Sequence, residues 1–227
     1  DMIKVIGFDI GGTLMEYKNM PNVWIDYYKT GFETVRDRLG LHISDDDIAR
    51  SVEVLRGYNP KVKYREEDIA PEVIFTDATS HWKCSFHLEK VFYRSMGLVP
   101  YIYPDTVSTL KQLRADGYKI ATLTDVATGM PDELHKSYFS ELMPYFDMYV
   151  SSLSCGYRKP NPKGLSDIAE HFGVSPAEMV FIGDEQKDII VAKRFGCMSG
   201  LIDRKGRNAD FGQEHTIMNH TQLEEIL

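Results

Sequence analysis

Short, nearly uninterrupted apolar runs recur along this chain at residues 3–8, 118–123, 148–151, 179–182 and 198–202, each followed by a polar turn. Runs of that kind suit parallel strands buried on both faces. Between them the apolar positions switch to helical spacing, over residues 106–115, 131–139, 162–172 and 188–195. Pro131 and Pro162 suit the first turn of a helix, where a missing N–H costs nothing. Gly117, Gly173 and Gly196 each follow a helical stretch, where a C-terminal cap is needed. Strand and helix in alternation predict an α/β fold built on a doubly wound, Rossmann-like parallel sheet.

Residues 16–99 break the alternation. Helical spacing predicts amphipathic helices over 23–39, 45–55 and 86–96, with Gly40 closing the first and Ser44 capping the second. Residues 56–84, with Pro60, Pro71 and mixed charges, read as irregular. The expected organisation is therefore a discontinuous α/β core of residues 1–15 and 100–227, with an α-helical domain of residues 16–99 inserted after the first strand. Trp24, Tyr27, Tyr28, Trp82 and Phe86 give that insertion an aromatic face, mostly its own core, with one or two rings available to stack on a substrate.

Composition narrows the function classes. The 227 residues carry 26 basic and 34 acidic side chains, a net charge of −8, which argues against nucleic acid or an anionic membrane surface as the main partner. No uncharged apolar run approaches the ~18 residues of a membrane span, and the opening DMIKVIGFDIGG has no secretory-signal pattern. Cys84, Cys155 and Cys197 form no CxxC pair and fit reduced thiols rather than a zinc framework. The expectation is a cytoplasmic protein, monomer or homodimer.

Four clusters follow apolar strands and carry chemistry. Phe8-Asp9-Ile10-Gly11-Gly12-Thr13-Leu14 puts a carboxylate and two glycines at the carboxyl end of the first strand, where open α/β sheets bind ligands. Ala121-Thr122-Leu123-Thr124-Asp125 ends another strand on a hydroxyl and a carboxylate, and Gly156-Tyr157-Arg158-Lys159-Pro160-Asn161-Pro162 holds Lys159 just before a helix. Phe181-Ile182-Gly183-Asp184-Glu185-Gln186-Lys187-Asp188 sets an acidic pair across a strand-to-helix turn. Alone, the first string resembles both the first phosphate loop of actin-like sugar kinases and the nucleophile motif of the haloacid dehalogenase superfamily. The ordered set of four resembles the latter from end to end. A sugar kinase would also need a second phosphate loop and an adenosine loop, which are not found.

That resemblance implies a hydrolase in which Asp9 attacks the substrate and Lys159 neutralises it. It implies a small phosphorylated substrate bound by Gly11, Gly12, Thr124, Asp125 and Lys159. It implies Mg²⁺ held by Asp9, Asp184 and the Gly11 carbonyl, with Asp188 in support, and an α-helical cap between the first two motifs. One position departs. Phosphatases of the superfamily carry an acid/base Asp two residues after the nucleophile, and here that residue is Gly11. The substrate then has a good leaving group, or the acid comes from elsewhere (Glu16, His81 or His87), or the reaction is C–P or C–halogen cleavage, or the protein binds phosphate without turnover. Lys18, Lys29 and Lys83 lie in or beside the insertion, where a C–P hydrolase would need its Schiff-base lysine, but nothing singles one out.

Overall fold

In a computed structural model, which describes residues 2–84 and 87–227, the described residues form eight strands and eight helices. The strands are β1 (Val5–Phe8), β2 (Met15–Tyr17), β3 (Pro100–Ile102), β4 (Lys119–Thr124), β5 (Met148–Ser151), β6 (Met179–Gly183), β7 (Met198–Ile202) and β8 (His215–Ile217). The helices are α1 (Tyr28–Arg38), α2 (Asp45–Tyr58), α3 (Pro71–Ala78), α4 (Thr106–Ala115), α5 (Asp132–Ser137), α6 (Ser152–Cys155), α7 (Lys163–Phe172) and α8 (Gln186–Phe195). The chain divides into two compact units, one of residues up to Glu16 with Pro100–Asp125 and Phe139–Leu227, the other of Tyr17–Val99 with Val126–Tyr138.

The first unit is a six-stranded, wholly parallel sheet in the order β5-β4-β1-β6-β7-β8. Strand periodicity explains why its strands read as continuous apolar runs. Val5, Ala121, Leu123, Met179 and Phe181 share one face, and α7 and α8 cover it with Leu165, Ile168, Val191 and Ala192. The alternate positions Ile6, Phe8, Ile120, Val180 and Ile182 point the other way and are equally inaccessible. Both faces are covered, as a doubly wound sheet requires. The order reverses between β1 and β6, because β4 and β5 lie on one side of β1 and the later strands on the other. Ligands in such sheets bind at that reversal, outside the carboxyl ends of the strands. No helix among the described residues is long and apolar enough to cross a membrane.

The second unit is helical and aromatic. Phe32, Phe75 and Phe92 pack with ring centroids 4.9 to 6.0 Å apart. Tyr28 and Trp82 are buried with them, and the indole N–H of Trp82 donates to Ser51 Oγ at 2.8 Å. These rings are core of their own unit, while Phe86 lies outside the described residues. Ser44 caps α2 as expected, its Oγ accepting the Asp47 N–H at 3.1 Å.

Several local expectations need correction. The helix expected over 86–96 is not found among its described residues, 87–96, where 3₁₀ turns stand at Leu88–Lys90 and Arg94–Met96. Phe92 and Tyr93 are consecutive and both fully buried, which one stripe of an α-helix does not readily provide. The predicted helix over 23–39 begins with a 3₁₀ turn, Trp24–Tyr27, and becomes α-helical only at Tyr28, because Val23 offers no capping oxygen. The irregular stretch 56–84 contains α3, opened by Pro71 and anchored by Ile74, Phe75 and Ala78. Val126–Tyr138, read as part of the α/β core, belongs with the helical unit, where the Tyr93 hydroxyl donates to Thr128 O at 2.7 Å.

Candidate active site

The register places four of the sequence clusters at one end of the sheet. Phe8 is level with Thr122 on β4 and Ile182 on β6, so Asp9 emerges beside the strand ends that carry Thr124 and Asp184. The Asp9 N–H still donates to Ile182 O at 2.9 Å, which ties the residue to the sheet rather than to a loose loop. Lys159 Nζ, fully buried, donates to Asp9 Oδ1 at 2.8 Å and to Asp188 Oδ1 at 2.7 Å. Asp188, on the first turn of α8, uses its other oxygen to accept the N–H groups of Asp184 and Glu185, both at 3.0 Å. One carboxylate therefore fixes both the strand-to-helix turn and the lysine.

Asp9, Asp184 and Asp188 each place a carboxylate oxygen within 4.8 Å of the others. The Thr13 hydroxyl lies 3.2 Å from Asp184 Oδ1 and 3.4 Å from Asp9 Oδ2. Burial, and then the charges of Asp9 and Asp188, push the Asp184 carboxyl up to about 9. Burial and Asp9 also raise Asp188, against the opposing pull of Lys159. Burial works against charging Lys159, but Asp188 and Asp9 outweigh it and keep the amine firmly protonated. Three carboxyl groups thus share one ammonium, whose single charge would not balance them if all were ionised. Hard oxygen donors in that state suit a small divalent cation such as Mg²⁺, and the residues present fit one.

The two glycines contribute differently from each other. Gly12 has φ +81°, and a Cβ there would collide with the Asp184 carboxylate. Its N–H already donates to Met15 O at 2.7 Å, which corrects the expectation that both turn N–H groups are available to a phosphate. Around a Cβ built on Gly11 there is no atom within 4 Å, and its φ is not in the left-handed range. The position is open. Thr124 is buried at the end of β4. Asp125 accepts the Lys159 N–H at 3.0 Å on Oδ1 and the Lys187 ammonium at 3.0 Å on Oδ2. Burial opposes its ionisation, yet Lys187, Lys159 and Arg158 together hold it well below the usual carboxylate range.

Sequence reasoning missed Thr13, Lys187 and a brace from the C-terminal segment. His220 Nε2 is 2.7 Å from Thr13 O, and a carbonyl can only accept, so Nε2 carries the proton. Burial pushes this imidazole down to about 4. Arg204 reaches the same carbonyl, pairs with Asp105 at 3.1 Å and stacks over Tyr103 at 3.9 Å. Arg207 donates to Asp184 O at 3.3 Å. Lys187 could have been suspected as the partner an acidic residue at position 125 requires. The brace has no local signal, since His220 and Thr13 are far apart in sequence.

Fold and site together present an α/β protein with a lysine-bridged carboxylate cluster at a topological switch point. The chain belongs to the haloacid dehalogenase-like hydrolases, whose family model matches residues 3–196. It is 29% identical over 208 residues to a phosphoglycolate phosphatase of Vibrio vulnificus, covering 87% of this chain and 82% of that one. Among solved structures it resembles a haloacid dehalogenase-superfamily phosphatase from Thermococcus onnurineus, at 24% identity, TM-score 0.66 and 99% and 97% coverage. A 2-haloacid dehalogenase from Pseudomonas syringae is equally similar in fold, at 18% identity, TM-score 0.67 and 99% and 98% coverage.

Proposed function

We propose that this hydrolase is a Mg²⁺-dependent phosphatase of a small phosphorylated metabolite, acting through a covalent aspartyl-phosphate on Asp9. The observation that carries the reading is the Lys159 ammonium bridging Asp9 and Asp188 inside a three-carboxylate cluster. Lys159 pairs with Asp9 and offsets its repulsion of an incoming phosphate dianion. Asp9 and Asp184, with the Gly11 carbonyl and Asp188 in support, would hold the cation, which when bound offsets charge building on the phosphoryl oxygens. An Asp9 oxygen attacks phosphorus and the leaving oxygen departs with the electron pair of its P–O bond. Water then attacks the phosphorus of the aspartyl-phosphate, releasing phosphate and restoring the carboxylate. Thr124 lies at the strand end where its hydroxyl can meet a phosphoryl oxygen.

Gly11 has no side chain to protonate the leaving oxygen. General acid–base assistance is worth ~10²–10⁴-fold, so turnover should favour leaving groups that are stable as anions. The relative's name makes 2-phosphoglycolate a substrate to try, and its alkoxide leaving group makes it a demanding one. Phosphate release from acetyl phosphate, p-nitrophenyl phosphate and 2-phosphoglycolate should be measured with Mg²⁺ for the wild type and Asp9→Asn. The reading expects wild-type turnover that Asp9→Asn abolishes. Equal inertness of the two proteins towards every phosphate would instead favour a phosphate-binding relative without turnover, which the empty Gly11 position also supports. Halide release from a 2-haloacid would point to the dehalogenase alternative.

A further inference from the structure

Lys159 is held at two places, and only one of them is the amine. Its Nζ is fixed by Asp9 and Asp188, while its main-chain N–H is fixed by Asp125 Oδ1 at 3.0 Å. The second oxygen of Asp125 is held by Lys187 Nζ, also at 3.0 Å. Asp125 has both oxygens engaged and its side chain is only 4% exposed, so it is a buried anion beside a site that must receive another. Lys187 stands on the first turn of α8, next to Asp188, and its side chain is 36% exposed. Its other contact, Glu185 Oε2 at 3.4 Å, is long and water-facing and contributes little. A buried carboxylate left without its cation is strongly unfavourable, whereas a neutral pair of the same shape need not be.

From this geometry we infer that Lys187 is a positioning residue: it neutralises Asp125 so that Asp125 can hold the Lys159 main chain, and with it the Lys159 ammonium, against Asp9. Asp125 is then a clamp rather than a substrate-binding group. Its ionised carboxylate has no proton to donate and would repel a phosphate at close range. Lys187 acts on the reaction only through Asp125 and Lys159. The inference rests on the phosphoryl-transfer reading for its kinetic consequence, though not for the structural one.

The test is a charge cycle of Lys187→Gln, Asp125→Asn and the double variant. Lys187→Gln keeps a hydrogen-bond donor but strands the buried anion, and a displacement of about 1 Å at a reacting group costs ~10²-fold. It should lower kcat by at least about 10-fold with KM changed less than about 3-fold. The double variant restores a neutral, hydrogen-bonded pair and should recover most of the lost kcat, a strong non-additivity. Additive losses, or a loss carried by KM as a direct substrate contact would give, overturn the inference. A second measurement needs no turnover. Hydrogen exchange of the Lys159 amide should accelerate in Lys187→Gln and return towards wild type in the double variant, while the β1 and β6 amides report that each variant is folded. An unchanged Lys159 amide overturns the inference, whereas absence of turnover in the wild type overturns the phosphatase reading alone.

Discussion

Gly11→Asp places a carboxyl group where the site has none, and the structure indicates how the change will be tolerated. A Cβ at this position meets no atom within 4 Å, and the backbone does not occupy the left-handed region. Losing a glycine's freedom in the unfolded chain stabilises by roughly 0.4–1 kcal/mol where the native conformation is compatible. Against that stands the crowding of carboxyl groups at Asp9, Asp184 and Asp188. At an effective dielectric of about 20, a unit charge some 6 Å away costs roughly 3 kcal/mol, less where water or a cation screens it. Because position 11 is exposed, screening is substantial, and the variant should fold with a Tm within a few degrees of wild type. Its effect belongs in the transition state. Protonation of the leaving oxygen should raise turnover of alkyl phosphates such as 2-phosphoglycolate by ~10²–10⁴-fold, or about 3–5 kcal/mol of barrier. Acetyl phosphate, whose leaving carboxylate needs no proton, should gain little. The assay is kcat/KM across phosphates of graded leaving-group pKa, where a steep wild-type dependence should become shallow in Gly11→Asp. A folded variant with the wild-type slope would refute the argument that the missing acid limits the reaction.

Other perturbations follow from the same geometry. Lys159→Met leaves two buried carboxylates without their shared cation, and breaking such a pair costs ~3–5 kcal/mol; chemical denaturation at neutral pH should show a loss of that order, and undiminished stability would contradict the bridging role. Mg²⁺ should raise the Tm of the wild type but not of Asp184→Asn, and equal shifts by thermal melts would remove Asp184 as a cation ligand. His220 is neutral when folded, with its pKa lowered from 6.5 to about 4 by burial. The unfolded chain therefore binds the extra proton first, so stability present above about pH 6.5 is lost as pH falls towards 4, by about 3 kcal/mol. Denaturation against pH should show this limb in the wild type and not in His220→Gln.

How much of this was legible depends on the range over which a residue's surroundings are set. β5, β7 and α4 were readable to the residue, because a strand buried on both faces needs an unbroken apolar run and a helix of three turns repeats its stripe. β2, β3 and β8 span three residues each and offer no period to detect. The clusters around Asp9 and Asp184 were visible as polar residues at strand ends and Lys159 as a cation in the loop before a helix; parallel register brings the first two together. What the sequence did not disclose was each polar atom's partner. Asp125 was expected as a substrate contact, and nothing in its local pattern pointed to the Lys159 N–H and Lys187 ammonium that its two oxygens accept. Gly12 looked like an N–H donor until that N–H was found on Met15. Such assignments are decided by tertiary contacts within hydrogen-bond range, which local pattern does not encode.

The sheet order has a consequence for the chain's synthesis. β1, which leads into Asp9, precedes the other strands of its sheet in the chain, yet its two sheet neighbours are β4 and β6. At roughly 5–20 residues per second, ribosomal elongation leaves β1 waiting about 10–40 s before the end of β6 is complete. Both edges of this apolar strand stay open until β4 is made, and one edge stays open until β6 follows, a form prone to wrong pairing. The intervening helical segment from Tyr17 to Val99 is continuous in sequence and can collapse on its own aromatic rings meanwhile. Assembly of Asp9 with Lys159 and its acidic partners is therefore a late event, set by residues 159–188, and nascent chains cut short before that point carry Asp9 without the ammonium that pairs with it.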